Sequence, residues 1–289
     1  MVVTILNVII GGLIMGGIYA LISVGLSMQY GVARIFNVSH GEFIMLGAIV
    51  TWSLFTAFQI NPLVSLAIIS PFIFIIGYFI HSTVFRKLKI VSPSATAFEG
   101  NSMLLAFGLL FIIQNIAIIV WGASIKGYSF MAYSIDVGSL KFAANRTVIL
   151  SFAIALCILF YLFLSRTRLG KAIRASAQDP EAAGLMGVDI NRMLALCFGL
   201  GAVMAGLAGG LISMAYQVQT TMGLQYTIIA IIVVVLGGLG SIPGSMIGGF
   251  ILGLVGSIVS AIEPGLTMVA YYVLFMVLLM VKPTGILGR

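Results

Sequence analysis

The sequence predicts an all-α integral membrane protein with about eight or nine transmembrane helices, a short cytoplasmic helix and a glycine-rich helix break. Hydrophobic residues make up 61% of its 289 residues and charged residues 7%, whereas a soluble domain carries about 25% charged residues. Apolar runs reach about 20 residues, the length that crosses a bilayer. They lack the period-2 alternation of barrel strands, so the spans are helices. We treat residues 1–289 as one transmembrane domain.

Nine apolar segments follow one another along the chain, separated by polar turns and loops. The predicted spans cover roughly residues 5–29, 36–58, 63–84, 102–121, 147–164, 193–216, 226–236, 245–262 and a last segment that ends near 281. The seventh span is short and runs into Gly237-Gly-Leu-Gly-Ser-Ile-Pro-Gly244, which breaks a helix. If this stretch is re-entrant, the number of spans falls to eight.

The basic residues predict the orientation, because cytoplasmic loops carry an excess of Lys and Arg. With nine spans and residues 165–192 in the cytoplasm, only Lys126, Lys141 and Arg146 lie outside. The cytoplasmic side then holds Arg34, Arg86, Lys87, Lys89, Arg166, Arg168, Lys171, Arg174, Arg192, Lys282 and Arg289. Eight spans would move the C-terminus outside and weaken this bias. We therefore predict nine spans and a cytoplasmic C-terminus, and the net charge of +7 needs no nucleic acid partner.

The loop at residues 165–192 divides into a basic part and a capped helix. Arg166 to Arg174 mainly sets the topology. Asp179-Pro180-Glu181 supplies an N-cap, a proline at the first helical position and an acidic first turn, and Gly187 supplies a C-terminal stop. A helix of about two turns has almost no stability of its own. It is either a docking element that a partner completes or an ordinary connector.

Four polar residues stand at the cytoplasmic start of the second span, where they are costly unless they face protein or water. They are Asn37, Ser39, His40 and Glu42. They could line a pathway or form an inner gate. The interpretation that we favour from the residues alone is that His40 and Glu42 pair with each other or with Arg34, close enough to the surface to stay wet.

Further candidates lie in the fourth span and in the glycine-rich break. Gln114 and Asn115 lie midway along the span, where they either line a pathway or form hydrogen bonds between helices. The glycines spaced four residues apart elsewhere favour close helix packing. The break at 237–244 would leave backbone groups unpaired in lipid, so it must line protein or water. Gly237, Gly238 and Gly240 are therefore pathway candidates.

Motifs along nearly the whole chain resemble those of a known transporter family. Glu181-Ala-Ala-Gly-Leu-Met-Gly187 matches the EAA-x-x-x-G core of ATP-binding-cassette importer permeases. The branched-chain amino acid permeases of the LivH type are similar at four further motifs. These are Gly16-Gly-Ile-Tyr-Ala-Leu-Ile-Ser-Val-Gly-Leu26 with Gln29-Tyr-Gly-Val32, Phe36-Asn-Val-Ser-His-Gly-Glu-Phe-Ile-Met-Leu-Gly47, Arg166-Thr-Arg-Leu-Gly-Lys-Ala-Ile-Arg-Ala175 and Gly237-Gly-Leu-Gly-Ser-Ile-Pro-Gly244.

The resemblance implies a permease subunit in a bacterial inner membrane that imports leucine, isoleucine or valine. Its EAA loop would couple to an ATPase through Arg174, Asp179, Glu181, Ala182, Ala183 and Gly187. The implied partners are ATPase subunits, a second related permease in a homo- or heterodimer, a periplasmic binding protein and membrane lipid. The chain itself would be no enzyme and hold no cofactor, because ATP and magnesium would bind the ATPase.

The motifs that are missing agree with this expectation, and other substrates stay open. The sequence has no Gly-x-x-x-x-Gly-Lys-Ser/Thr phosphate loop and no His, Cys and carboxylate cluster with metal spacing. Permeases for urea, short amides or another amino acid look similar. The alternative function is an ion-coupled secondary transporter or channel, which would need a charged group in mid-membrane. Glu42, Glu99 and Glu263 are all predicted near span ends.

Overall fold

The computed structural model describes the backbone of residues 2–137 and 140–288, and the side chains of residues 5–134 and 143–288. The helices are α1 (Val2–Ala33), α2 (His40–Phe58), α3 (Pro62–Ile80), α4 (Arg86–Val91), α5 (Ala95–Trp121), α6 (Ala144–Arg166), α7 (Arg168–Gln178), α8 (Pro180–Leu185), α9 (Ile190–Ser213), α10 (Gly223–Gly237), α11 (Ile242–Ile262) and α12 (Thr267–Val281). A π-helical turn (His81–Phe85) joins α3 to α4, and a 3-10 turn (Pro264–Leu266) precedes α12.

The helices confirm the predicted all-α integral membrane protein. Among the described residues, eight helices are long and apolar enough to cross a membrane, with α3, its π-helical turn and α4 together forming one of them. The segment α10 is apolar but has only 15 residues. The count therefore falls within the predicted range of eight to nine.

The centre of the bundle is α9, which contacts α1, α2 and α3. The helix α1 runs antiparallel to α11, as the hydrogen bonds between them show. Ser257 of α11 donates to the carbonyl of Val8 (2.6 Å), and Ser23 of α1 donates to the carbonyl of Ser245 (3.1 Å). The early part of α1 thus lies beside the late part of α11.

Glycines allow these inner helices to approach closely. A Cβ at Gly16 of α1 would overlap with the backbone of α11, and a Cβ at Gly47 of α2 would overlap with the backbone of Gly206 in α9. Helices in lipid associate through such packing and not through a hydrophobic driving force. The prediction that the glycines mainly serve packing is confirmed at these contacts.

Three segments differ from the predicted spans. The helix α2 begins at His40 and not near residue 36, so residues 34–39 are not helical. Most of the polar segment at 86–101 is helical, because Ser94 caps α5 by accepting from the backbone N–H of Ala97 (3.1 Å). The loop at 122–146 contains an antiparallel hairpin of β1 (Ser134–Val137) and β2 (Leu140–Ala143).

One end of the bundle carries α7 and α8, and we call it the α8 end. The last turns of α1 reach it, where Gly31 packs against Gly240 of the glycine-rich break. A cavity of about 380 Å³ joins the same region to α7, with Arg174 and Gln178 in its lining. The break therefore lies at the α8 end.

The segment between α9 and α11 passes from the opposite end back to the α8 end. At the opposite end, Asn145 at the start of α6 donates to the carbonyl of Met214, just after α9 (3.1 Å). At the α8 end, the C-terminal tail donates from Ile286 to the carbonyl of Leu236 in α10 (2.9 Å). Within the described residues, this course adds α10 to the eight longer spans as a ninth segment, and it brings the tail to the α8 end.

Candidate functional site

The loop between α6 and α9 folds into two short helices with the predicted caps. The Asp179 carboxylate accepts from the backbone N–H of Ala182 (2.9 Å), and Pro180 occupies the first position of α8. Gly187 follows α8 with φ +84°, a conformation that favours glycine. Asp189 then caps α9 by accepting from the N–H of Arg192 (3.1 Å). The predicted capped helix is confirmed, although its fold alone does not establish a role.

The surface of α8 is unusual for a short polar connector. Leu185 is 90% exposed and Met186 is 85% exposed, while Ala183 is buried against the loop. Glu181 and Ala182 are also exposed. Leu185 at the end of α8 and Met186 directly after it thus present apolar side chains that the described residues of this chain do not cover.

Arg174 lies on α7, one helix before α8, and it contacts the end of α6. Its guanidinium donates to the carbonyl of Ser165 at the end of α6 (3.3 Å). The side chain is otherwise exposed and lines the cavity near the glycine-rich break. Arg174 therefore links the end of α6 to α7, and it does not contribute to the apolar surface formed by Leu185 and Met186.

A second group of polar side chains is buried inside the bundle between α1, α2 and α9. Asn37 donates to the side-chain oxygen of Gln29 (3.0 Å), and Ser39 donates to Asn37 (2.6 Å). Gln29 in turn donates to the carbonyl of Phe198 in α9 (3.0 Å). This network satisfies the non-helical residues 34–39 as they enter the bundle.

His40 lies much deeper than the sequence predicted. Its Nε2 is 3.0 Å from the carbonyl of Ile22, about three turns before α1 ends at Ala33. The side chain is fully buried. The start of α2 is therefore inside the bundle and not at its surface.

Glu42 is fully buried, and neither carboxyl oxygen has a hydrogen-bond partner within the described side chains and backbone. The carboxyl group packs directly against Gly223, where any side chain would overlap with it. The N-terminal ends of α2 and α10 meet here, because the N–H of Gly41 donates to Thr227 (2.8 Å). Glu42 thus lies between the first turns of two helices without accepting a hydrogen bond from either.

The favoured interpretation of these residues was therefore wrong. Among the described residues, His40 and Glu42 form no ion pair with each other or with Arg34. Arg34 is exposed instead, and its guanidinium carbon lies 5.8 Å from the centre of the Tyr30 ring. Glu42 is also wrongly placed near a span end, because the non-helical approach to α2 carries it into the bundle. The sequence could not show this depth, since hydropathy alone cannot separate an entering loop from a span.

The structure does not bring Gln114 and Asn115 to this buried group. Both lie on α5; Gln114 is partly exposed, and Asn115 is exposed and donates to the carbonyl of Phe111 in its own helix (2.8 Å). No bond from either side chain to another helix is found among the described residues. The alternative of hydrogen bonds between helices is thus not seen within the chain.

The glycine-rich break was predicted to face either protein or water, and in the structure it packs against protein. The backbone of Gly237 packs against Gly244, and Leu287 donates to the carbonyl of Gly237 (3.0 Å). Gly238 and Gly240 have φ angles of +104° and +79°. The C-terminal tail thus supplies hydrogen bonds that the interrupted helix loses.

Sequence reasoning missed residues that complete the buried group. Gln29 and Thr227 anchor it from α1 and α10, and Gly223 makes room for Glu42. Gln29 did give a signal, because a lone amide within an apolar run is costly in lipid. No group of three or more metal-ligating side chains occurs in the described residues.

Comparison with known proteins identifies the family. A family model described as branched-chain amino acid transport system, permease component, matches residues 8–282. The permease protein BraD of a high-affinity branched-chain amino acid transport system in Pseudomonas aeruginosa is 32% identical, over 98% of this chain and 96% of its own. The corresponding LivH of Escherichia coli (strain K12) is 31% identical, over 96% and 94%.

A more distant similarity covers only part of the chain. The fructose import permease protein FrcC of Rhizobium meliloti is 34% identical over 43% of this chain and 35% of its own. The family model, in contrast, covers the helices from α1 to α12. The chain belongs to the family of permease components of branched-chain amino acid transport systems.

Proposed function

We propose that this chain is the membrane subunit of an ATP-driven importer for branched-chain amino acids. Relatives that cover almost the whole chain are named as permeases for these substrates. Leucine, isoleucine and valine carry apolar side chains on a zwitterionic backbone, so they cross a membrane only through protein. The similarity to permeases for branched-chain amino acids favours this function over urea, short amides or ion-coupled transport.

The observation that supports coupling to an ATPase is the exposed apolar surface of α8. In an ordinary connector, exposing the side chains of Leu185 and Met186 to water would be unfavourable and would stabilise nothing. An ATPase groove that covers them would also complete a helix too short to be stable alone. Arg174, Asp179, Glu181, Ala182, Ala183 and Gly187 hold or flank this surface.

The orientation follows from the same assignment. If α8 meets an ATPase, the α8 end is cytoplasmic, the membrane is a bacterial inner membrane and the tail of the chain is on the cytoplasmic side. The hydrogen bonds of Ile286 and Leu287 to α10 support this side for the tail. The distribution of basic residues supports it as well.

ATP and magnesium would bind the ATPase subunits, and a binding protein would deliver the amino acid at the opposite end. A second, related permease would complete the pathway. ATP would act by binding differently to the two states of the transporter, and α8 would transmit the change to α7 and α9. The chain contributes no ATP chemistry of its own in this scheme.

We further propose the buried group at the start of α2 as part of the translocation pathway. Asn37, His40 and Glu42 provide polar groups at a depth where the substrate must leave water. Gly237, Gly238 and Gly240 would allow the α8 end to move, since they form the break between two helices. Gln114 and Asn115 point away from this group, so they would contribute only through a second permease subunit.

The test is to replace the apolar surface of α8. The double variant Leu185→Ser/Met186→Ser should insert normally, bind the ATPase at least tenfold more weakly and lose most ATP-dependent leucine uptake in proteoliposomes. The matched control Ile90→Ser/Val91→Ser removes side chains that are each 74% exposed at the end of α4, and it should transport normally.

Two results would contradict the proposal in different ways. Normal ATPase binding and uptake by the α8 double variant would show that α8 is an ordinary connector. A complete complex that hydrolyses ATP but takes up no leucine, isoleucine or valine would show that the substrate assignment is wrong. The first result concerns the coupling alone, and the second concerns the cargo alone.

A further inference from the structure

A cavity with both polar and apolar lining opens at the end of the bundle opposite α8, between α1, α11 and α12. Its volume is about 450 Å³, within the range of about 300–1,000 Å³ that small-molecule sites occupy. Eight of its fourteen lining residues have polar side chains, and the other six are apolar residues or glycines. The lining therefore suits a ligand that carries both polar and apolar groups.

The floor of the cavity is a pair of tyrosines. The hydroxyls of Tyr19 and Tyr271 are 3.3 Å apart, and the rings meet edge to face with centroids 6.1 Å apart. Both side chains are buried. Gly256 lies directly against the Tyr271 hydroxyl, so any side chain there would displace it. Since Tyr19 lies more than halfway along α1, the cavity reaches deep into the bundle.

The rim of the cavity carries a cation. Arg146, in the first turn of α6, is exposed and lines the cavity together with Tyr216. The bond from Asn145 to the carbonyl of Met214 fixes the start of α6 against the segment that carries Tyr216. No carboxylate whose side chain the structure describes pairs with Arg146. The guanidinium thus lines the mouth of the cavity without an ion pair among the described residues.

We propose that this cavity is the first binding site of the permease for a zwitterionic aliphatic amino acid; this inference rests on the proposed function. Arg146 binds the α-carboxylate, because guanidinium and carboxylate form strong paired hydrogen bonds. Ser260 and Ala261 lie in the last turn of α11, whose partial negative charge suits the ammonium group. Val8 and Met15 offer apolar contact to the aliphatic side chain.

The position of the cavity fits delivery from the side opposite the ATPase. The helix α6 carries Arg146 in its first turn and ends at Arg166, directly before α7. Its 23 residues separate the two ends by about 35 Å. A binding protein on the outer side would therefore release the amino acid next to Arg146, above the tyrosine floor.

The experiment measures protection of a cysteine placed in the cavity. Ser260→Cys in the complete transporter, without binding protein, is treated with trimethylammonium-ethyl methanethiosulfonate in the presence and absence of leucine. The parent chain is the background, because Cys157 and Cys197 are buried. Leucine should slow modification at least threefold, and leucinamide, which lacks the carboxylate, should not.

Arg146→Gln in the same background should raise the half-protecting leucine concentration about tenfold, the effect of losing a charged hydrogen bond. The matched control is Lys126→Gln, which removes a positive charge at the same end but beside Trp52 (4.6 Å); it should leave protection unchanged. Tyr271→Phe should raise the concentration less, because it removes only one hydroxyl.

The inference is overturned if leucine gives no protection or if leucinamide protects equally. It is also overturned if the same leucine concentration half-protects the Arg146→Gln variant and its parent. Uptake by the unmodified transporter is measured in parallel. Leucine uptake without protection would reject this cavity and leave the importer intact. Protection without ATP-dependent uptake would reject the importer and leave the cavity as an amino acid site.

Discussion

The helices α9 and α5 have similarly apolar sequences but opposite environments. Both are apolar and long enough to span a membrane, with 24 and 27 residues, and both contain glycine. A Cβ added to Gly100 or Gly108 of α5 would meet nothing within 4 Å. In α9, in contrast, a Cβ would press on a neighbouring helix at every glycine, namely Gly199, Gly201, Gly206, Gly209 and Gly210. Apolarity thus identifies a span, and facing glycines decide whether it is central.

The polar residues show the same contrast. Glu42 lies in the interior between α2 and α10, whereas Asn115 lies on the outer face of α5. Sequence reasoning placed the first near the surface and the second in the middle of the membrane. The difference teaches that depth along a helix and burial within a bundle are separate properties.

The largest effect is expected where a glycine faces another helix. Gly47→Ala should lower the free energy of unfolding by about 3 kcal/mol, because its methyl group would overlap with the backbone of Gly206. Gly108→Ala makes the same change where no neighbouring atom lies within 4 Å of the new methyl group. Its free energy of unfolding should equal that of wild type or be slightly higher. Thermal unfolding in detergent, followed by size exclusion, measures both. Equal melting temperatures for the two variants would show that facing glycines do not distinguish the inner helices from α5.

A smaller effect on folding and a clear effect on transport are expected at Glu42. Glu42→Gln keeps the size and shape of the side chain, so its melting temperature should stay near that of wild type. Leucine uptake should fall about tenfold, because the amide replaces one of the two carboxyl oxygens that the proposed pathway offers to the substrate. Asn115→Leu, the outer control, should change neither quantity. Unchanged uptake by Glu42→Gln would place Glu42 outside the pathway.

The smallest effect is expected at α8, which lies outside the bundle. Asp179→Ala removes the cap that Ala182 uses and should cost about 1 kcal/mol of helix stability. ATP-dependent uptake should fall up to about fivefold, while the melting temperature of the bundle stays unchanged. Asp179→Asn should restore uptake, since Asn caps equally well. Failure of the Asn variant to restore uptake would mean that the carboxylate has a role besides capping.

Much of the fold could be predicted because its signals are local. Apolar runs set the spans, and the caps at Asp179 and Asp189 set the helix starts of the loop between α6 and α9. The stop at Gly187 depends only on the φ angle of one residue. Each of these features is decided by residues within one or two helical turns, so a single sequence contains the whole argument.

The parts of the site that were missed depend on distant residues. His40 is buried because it meets Ile22, and Glu42 is buried because Gly223 of α10 leaves it room. The cavity at the opposite end exists because α1, α11 and α12 place Tyr19 next to Tyr271, which is 252 residues away in the chain. No periodicity in the sequence records such a meeting.

The sequence by itself determined the class of protein, the approximate spans, the short capped helix and the close packing of glycines. These follow from hydropathy, capping and the absence of a Cβ, which are properties of neighbouring residues. Only the tertiary structure decided which spans are central, how deep α2 begins and where the tail of the chain closes the glycine-rich break. The physical reason is that lipid and a neighbouring helix are equally apolar surroundings, so only the contacts between helices distinguish the interior from the surface.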